Sequence, residues 1–254
     1  MKKKQLKSLW NDGAANFISL ALDCLFPPGC LICSSKDLYQ SGHLICKDCF
    51  DSISFISHPF CVRCGKQFLT ETVRDHMCGD CLTKEPYFNL VRALGKYEGA
   101  LEKIIHNFKY KQKFSMVNIF TFLLENMQNN GITFDSYDLF IPVPLHLSRL
   151  RQRGFNQTVL LGRVLQKKYQ QIPLQTMVLQ RMVPTLPQVT LAVKERKVNV
   201  RNAFRVKDPR LVEGKTVLLL DDVYTTGATM NECARVLKES GVSRVDGFVI
   251  ARAV

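Results

Sequence analysis

Two groups of residues in this sequence have the types and spacing for chemistry. The first is a set of cysteines. Ten occur in 254 residues, and nine of them precede residue 82. Eight form four C-x-x-C pairs: Cys30/Cys33, Cys46/Cys49, Cys61/Cys64 and Cys78/Cys81. A C-x-x-C turn presents two thiolates to one ion, and two turns complete a tetrahedral four-thiolate zinc site. The pairs are separated by 12, 11 and 13 residues. They read as two consecutive zinc ribbons, Cys30, Cys33, Cys46, Cys49 and then Cys61, Cys64, Cys78, Cys81. Interleaved ligation, first pair with third, stays open on spacing alone. A disulfide framework needs an oxidising compartment. A redox C-x-x-C is one pair in a βαβ setting rather than four in tandem. Gly65, just after the third pair, suits the tight turn of a zinc knuckle. Cys24 and Cys233 lie outside the pairs and read as small buried apolar residues.

The second group is the run Val217 to Thr229, VLLLDDVYTTGAT. Four apolar residues end in Asp221 and Asp222, a small hydroxyl-rich turn follows, and a helix begins. A helix N-terminus offers unpaired N–H groups and the positive end of a dipole. Gly227 and Ala228 let an anion approach the backbone, and Thr225, Thr226 and Thr229 add hydroxyl donors. The pattern predicts a phosphate cradle at the carboxyl edge of a parallel sheet. Asp221 and Asp222 are placed to accept hydrogen bonds from vicinal sugar hydroxyls. A helix N-cap alone would explain Thr-Thr-Gly-Ala-Thr, but not two adjacent carboxylates after an aliphatic strand.

The elements that must hold these groups alternate. Strands are expected at Val91–Tyr97, Asp138–Val143, Leu174–Leu179, Ala203–Val206, Val217–Leu220 and Val245–Ala251. Helices are expected at Ala100–Tyr110, Phe114–Met127, Phe155–Lys168 and Ala228–Glu239. Alternation of this kind argues for an α/β fold with a parallel, two-faced sheet flanked by helices. The expected organisation is an N-terminal amphipathic helix in 1–29, a double zinc ribbon in 30–85 and the α/β domain in 86–254. About 55 residues of ribbon bury little core, so metal would supply its folding energy.

Charge is uneven. The formal net charge is +13. Residues 1–90 hold 10 basic and 9 acidic side chains, and residues 91–254 hold 25 and 13. No acidic residue occurs from Leu139 to Lys194. Arg149, Arg151 and Arg153 lie two apart, so in an extended loop they would face one side. An anionic partner is therefore the first expectation: nucleic acid, a phosphorylated metabolite or an acidic membrane surface. Lys2 to Lys4 before Phe17–Leu22 mimic a signal peptide, but Asp12 and Asp23 bound the apolar run, and it is too short to span a membrane. An amphipathic helix from about Leu6 to Leu25 fits better. Packing on the rest of the chain and docking to a membrane surface both stay open. A cytoplasmic location follows.

The run 217–229 resembles the phosphoribosyl-diphosphate (PRPP) signature of type I phosphoribosyltransferases. Tyr224 departs from it, since an aliphatic residue is usual there. Further blocks resemble the ComF family: Leu25-Phe-Pro-Pro-Gly-Cys30, Leu101-Glu-Lys-Ile-Ile-His-Asn-Phe-Lys-Tyr110, Ile141-Pro-Val-Pro-Leu-His146, Arg153-Gly-Phe-Asn-Gln157, Pro187-Gln188, Arg196, Asn199-Val200 and Ala203-Phe204.

The resemblance implies a zinc ribbon joined to a phosphoribosyltransferase-like domain, acting in uptake of single-stranded DNA beside a helicase-like partner. It implies that Asp221 and Asp222 hold the ribose hydroxyls of PRPP and that Thr225, Thr226, Gly227, Ala228 and Thr229 bind its 5-phosphate. His146, Ser148 and Arg149 fall where such enzymes hold pyrophosphate. Gln188 to Arg201 falls where they carry a mobile hood, with Lys194, Arg196, Lys197 and Arg201 available to the diphosphate. Mg²⁺ would accompany PRPP. No hood residue is an evident general base for an acceptor. The rival reading is a nucleic-acid-binding or scaffold protein whose PRPP site senses without turnover, with Arg149, Arg151, Arg153, Lys194 and Lys197 on the nucleic acid.

Overall fold

The computed structural model describes residues 29–39, 44–69, 74–111, 116–127, 131–183 and 200–253. The expected N-terminal helix, apart from Gly29, and most of the hood, including Lys194, Arg196 and Lys197, lie outside these residues. The chain divides into two compact units, 1–51 and 52–254.

The first unit contains the short helix α1 (Lys47–Asp51). The second begins with the other four-cysteine segment and α2 (Gly79–Thr83). There follow β1 (Val91–Lys96), α3 (Gly99–Lys111), α4 (Met116–Glu125), β2 (Leu139–Pro142), α5 (Leu147–Arg153) and α6 (Gln157–Lys168). The chain continues through β3 (Leu179–Arg181), β4 (Phe204–Val206), β5 (Thr216–Tyr224), α7 (Ala228–Glu239) and β6 (Arg244–Arg252).

Four strands form a parallel sheet in the order β1-β6-β5-β2, and β3 pairs antiparallel with β4. Strand β2 and the first half of β5 are continuous apolar runs, and β1 and β6 are buried along nearly their whole length, as parallel strands covered on both faces are. Side chains alternate along β5. Val217 and Leu219 join a cluster with Cys233, Ala234 and Leu237 of α7. The opposite face meets α6, where a Cβ at Gly162 would press on Leu174 and Leu220.

Three expectations need correction. The 217–220 strand does not stop at the carboxylates. It runs to Tyr224, because β6 pairs alongside it as far as Tyr224 opposite Arg252. The 174–179 strand shrinks to Leu179–Arg181, with Leu174 making only an isolated bridge to Phe140. The arginine segment is not an extended loop but helix α5. His146 caps its start by accepting from the Ser148 amide, and Gly154 ends it in the left-handed conformation with φ +77°. Residues two apart in a helix point about 200° apart. Arg149 and Arg153 therefore share a partly buried face, while Arg151 is exposed.

Candidate functional site: four-thiolate centres and a carboxylate–cradle edge

The cysteines come together in sequence order. The sulfurs of Cys30, Cys33, Cys46 and Cys49 lie within 4.8 Å of one another, and so do those of Cys61, Cys64, Cys78 and Cys81. The thiols group sequentially, not interleaved. Cys33 Sγ is 3.5 Å from Cys46 Sγ, and Cys64 Sγ is 3.7 Å from Cys78 Sγ. These separations are far too long for a disulfide. They approach the edge of about 3.8 Å that a tetrahedron with Zn–S bonds of about 2.3 Å requires. The residues fit zinc, and structural zinc is the metal these two sites suit.

In each site one thiol is drawn toward the thiolate. At Cys61 the hydrogen bond from the Cys64 thiol is the main cause, and with the amides of Cys64 and Cys78 it overcomes burial to bring the thiol to about 4. Burial opposes ionisation at Cys30, but the amides of Cys33, Cys46 and Ile32 bring it to about 7.

The acid pair sits on β5 beyond the point where β2 ends. The last rungs to β2 are Pro142 opposite Leu220 and the Val143 amide donating to the Leu220 carbonyl at 2.8 Å. Strand alternation sends the two carboxylates to opposite faces. Asp222 turns toward α3 and α6. Its Oδ2 takes Lys109 Nζ at 2.9 Å and Gln157 Nε2 at 3.3 Å. Burial works against the Lys109 charge, but Asp222 and then Asp221 hold it above the ordinary lysine range. Asp221 turns toward α7 and accepts the Asp222 amide at 2.9 Å. Burial first, and the neighbouring Asp222 charge second, push the Asp221 carboxyl up to about 7.

The cradle follows at once. Gly227 is the N-cap of α7, has φ +74° and gives that helix no side-chain cap. The Thr226 hydroxyl accepts from the Ala228 amide at 3.4 Å. A shallow, open concavity is lined by Asp221, Thr225, Gly227, Thr229 and Met230. A left-handed backbone without a Cβ is what Gly227 supplies twice over, because a Cβ there would collide with the Tyr224 hydroxyl.

In the β2–α5 loop, His146 Nδ1 lies 2.8 Å from Ser148 Oγ and 3.2 Å from the Ser148 amide. Those two residues are thus brought together with Arg149 at one helix start. Arg201 is exposed in the turn before β4. Its neighbour Asn202 is fixed to α7 by donating its amide to Glu232 at 2.7 Å.

Sequence reasoning left Lys109, Gln157 and Arg181 without roles. The signal for Lys109 was present. It follows Ile105 by four residues on the buried stripe of α3, where Leu101, Ile104, Ile105 and Phe108 are all buried. A lysine continuing an apolar stripe inward needs an anion. Gln157 is set by the start of α6, where Asn156 donates to the Val143 carbonyl at 3.1 Å and Thr158 donates to it at 2.8 Å. Arg181 is half-buried and feels the Asp221 charge. Desolvation holds it below its ordinary range, the Arg149 charge adds to this, and Asp221 opposes it. Among the described residues no helix is long and apolar enough to cross a membrane.

Comparison with known proteins agrees with this geometry. Residues 21–82 match the double zinc ribbon domain family, and residues 146–253 match the phosphoribosyl transferase domain family. The chain is 31% identical over 228 residues to competence protein F of Haemophilus influenzae, covering 88% of this chain and 96% of that protein. It is 30% identical over 197 residues to DNA utilization protein YhgH of Escherichia coli (strain K12), covering 76% and 84%. It is 24% identical over 241 residues to competence protein ComFC of Bacillus subtilis, covering 88% and 95%. With both domain matches and a near full-length relative above 30% identity, the chain belongs to the ComF family of competence-related proteins, which join a double zinc ribbon to a phosphoribosyltransferase-like domain.

Proposed function

We propose that this chain binds PRPP with Mg²⁺ at the carboxyl edge of β5 and serves the uptake of single-stranded DNA in the cytoplasm. One observation carries the reading: a helix opened by Gly227, which has no side chain to cap it, starts within five residues of a carboxylate pair at a strand edge that no longer has β2 beside it. The 5-phosphate takes the amides and hydroxyls of Thr225 to Thr229. Asp221 and Asp222 take the ribose hydroxyls. His146, Ser148, Arg149 and Arg201 take the diphosphate, and the hood residues Arg196 and Lys194 are further cations available to it.

Bound Mg²⁺ would neutralise the diphosphate while keeping several of its waters. Lys109 and Gln157 hold Asp222 in one orientation, so its second oxygen is the one turned to a ligand. If a ribosyl group is transferred, departure of diphosphate from C1 places negative charge near Arg149, which lowers the barrier. Calorimetric titration of the zinc-loaded chain with Mg²⁺ and PRPP tests this. A saturable one-site isotherm is expected, abolished by Asp221→Ala with Asp222→Ala. A flat titration would sink the reading.

A second reading is favoured by the exposed Arg151 on α5, in a segment with no acidic residue from 139 to 194. Single-stranded DNA would lie along that helix, with Arg149, Arg153, Lys194 and Lys197 adding charge. Its affinity should fall steeply with salt. Salt-insensitive binding would contradict it. The names of the relatives, competence protein and DNA utilization protein, support a role in DNA use for either reading. A helicase-like competence partner and a peripheral membrane contact through the N-terminal segment belong to the same proposal.

A further inference from the structure

The second four-cysteine knuckle is fastened to the back of the cradle. Arg252, the last residue of β6, donates Nη1 to the Cys64 carbonyl at 2.7 Å. Its guanidinium lies over the Tyr224 ring, 4.4 Å from the centroid. The Tyr224 hydroxyl fills the space a Cβ would need at Gly227. Metal ligand, cation, ring and cradle glycine thus form one line of contacts. A second line runs beside it. The Tyr87 amide, six residues past the last ligand Cys81, donates to Asn231 Oδ1 in the first turn of α7 at 2.8 Å. Phe88 meets the Tyr224 ring edge-on, with centroids 6.3 Å apart. Cys61, Cys64 and Cys78 belong to the same buried cluster as Tyr224 and Met230.

We infer that zinc at Cys61, Cys64, Cys78 and Cys81 holds the phosphate cradle in its binding shape, with Arg252 and Tyr224 as positioning residues. This rests on the cradle taking a phosphate-bearing ligand, and it adds a regulation of that site. Zinc occupancy of the second knuckle and anion occupancy of the cradle are linked equilibria. Linkage is reciprocal, so zinc should tighten the anion and the anion should retain the zinc. The tyrosine that departs from the usual aliphatic residue at 224 is what connects the knuckle to Gly227.

The first test needs no ligand. Hydrogen exchange of the full zinc-loaded chain is followed at residues 224–231 in the unaltered protein, in Cys81→Ser and in Arg252→Met. Exchange there should rise by at least about fivefold, the lower end of typical coupling between sites, in both variants. Arg252→Met should do so with both zinc ions retained by metal analysis and with α6 unchanged. That second variant keeps the test decisive if Cys81→Ser unfolds the whole unit. Unchanged exchange at 224–231 in Arg252→Met overturns the inference.

The second test measures zinc release to a coloured chelator with and without PRPP and Mg²⁺. Slowed release from one site only, with the slowing lost in Tyr224→Leu, is expected. PRPP that binds by calorimetry but leaves both release rates unchanged overturns the coupling alone. PRPP that does not bind overturns the ligand assignment, while the exchange experiment still decides the mechanical link.

Discussion

The two knuckles carry the same ligand set at nearly the same spacing, yet they are different objects. In the first, Cys30 and Cys46 are buried but Cys33 is exposed. In the second, Cys61, Cys64 and Cys78 are all buried. The first is held by bonds within itself, such as the Cys30 amide to the Ser35 carbonyl at 2.7 Å and the Tyr39 amide to the Ile45 carbonyl at 2.9 Å. The second is bonded to the sheet. The Val91 amide donates to the Arg63 carbonyl at 2.7 Å, and Arg92 Nη2 donates to the Val62 carbonyl at 3.0 Å.

One residue reports the difference. Each knuckle turns through a left-handed residue after its second cysteine, Ser34 with φ +65° and Gly65 with φ +69°. At Gly65 a Cβ would stand 2.7 Å from the Val91 carbonyl oxygen. Ser34 is exposed, so its side chain has room. The same metal chemistry thus builds a self-contained module in one place and a wall of the α/β unit in the other.

That comparison can be broken most severely by removing a ligand from each knuckle. Cys64→Ser should abolish cooperative unfolding of the 52–254 unit, since structural zinc supplies a folding energy on the order of 10 kcal/mol. Cys33→Ser should release one zinc and leave that unit's transition in place. Metal content and thermal unfolding, measured together, check both. Equal damage from the two variants would erase the distinction.

A smaller effect is expected from Asp222→Asn. It strands the Lys109 charge in a partly buried site, so a loss of about 3 kcal/mol is expected in denaturant unfolding. Lys109→Met with Asp222→Asn should recover much of it.

Gly65→Ala should cost at least about 2 kcal/mol, from left-handed strain of roughly 1–2 kcal/mol plus displacement of β1. The mirror change, Ser34→Gly, should stabilise the first knuckle by about 1 kcal/mol or less, because it relieves the strain and removes no contact. Chemical denaturation of each variant reads the sign directly.

A pH dependence of the second unit follows from Asp221. Asp221 holds its proton up to about 7. A protonated carboxyl accepts sugar hydroxyls less well, so PRPP affinity should rise with pH through about 7 and level off above it. Stability runs the other way. The native state keeps a proton that the unfolded chain has lost, so stability falls as pH rises from the ordinary carboxylate range to about 7. Asp221→Asn should flatten both profiles.

Much of the second unit was legible. The alternation at 91–97, the apolar runs at 138–143 and 217–220 and the strand pattern at 245–251 announce the main strands, and the C-x-x-C spacing announces both metal sites. What escaped depended on partners distant in sequence. Strand β5 runs past its carboxylates only because β6 pairs with it there. Helix α5 is rich in arginine and has few apolar residues to set a period, so its caps, His146 and Gly154, were the only local sign. The pairing of Lys109 with Asp222 joins residues 113 positions apart. The docking of the second knuckle is written in one glycine, whose need becomes visible only against the Val91 carbonyl.

The central claim is that the β5 edge is a PRPP site whose rear wall is the second knuckle. The most direct measurement is calorimetric titration of Mg²⁺ and PRPP into the unaltered zinc-loaded chain, Arg252→Met and Cys33→Ser. The account predicts one-site binding in the unaltered chain, affinity weakened at least about fivefold in Arg252→Met and unchanged affinity in Cys33→Ser. No binding to the unaltered chain, or equal affinity in all three, would contradict it.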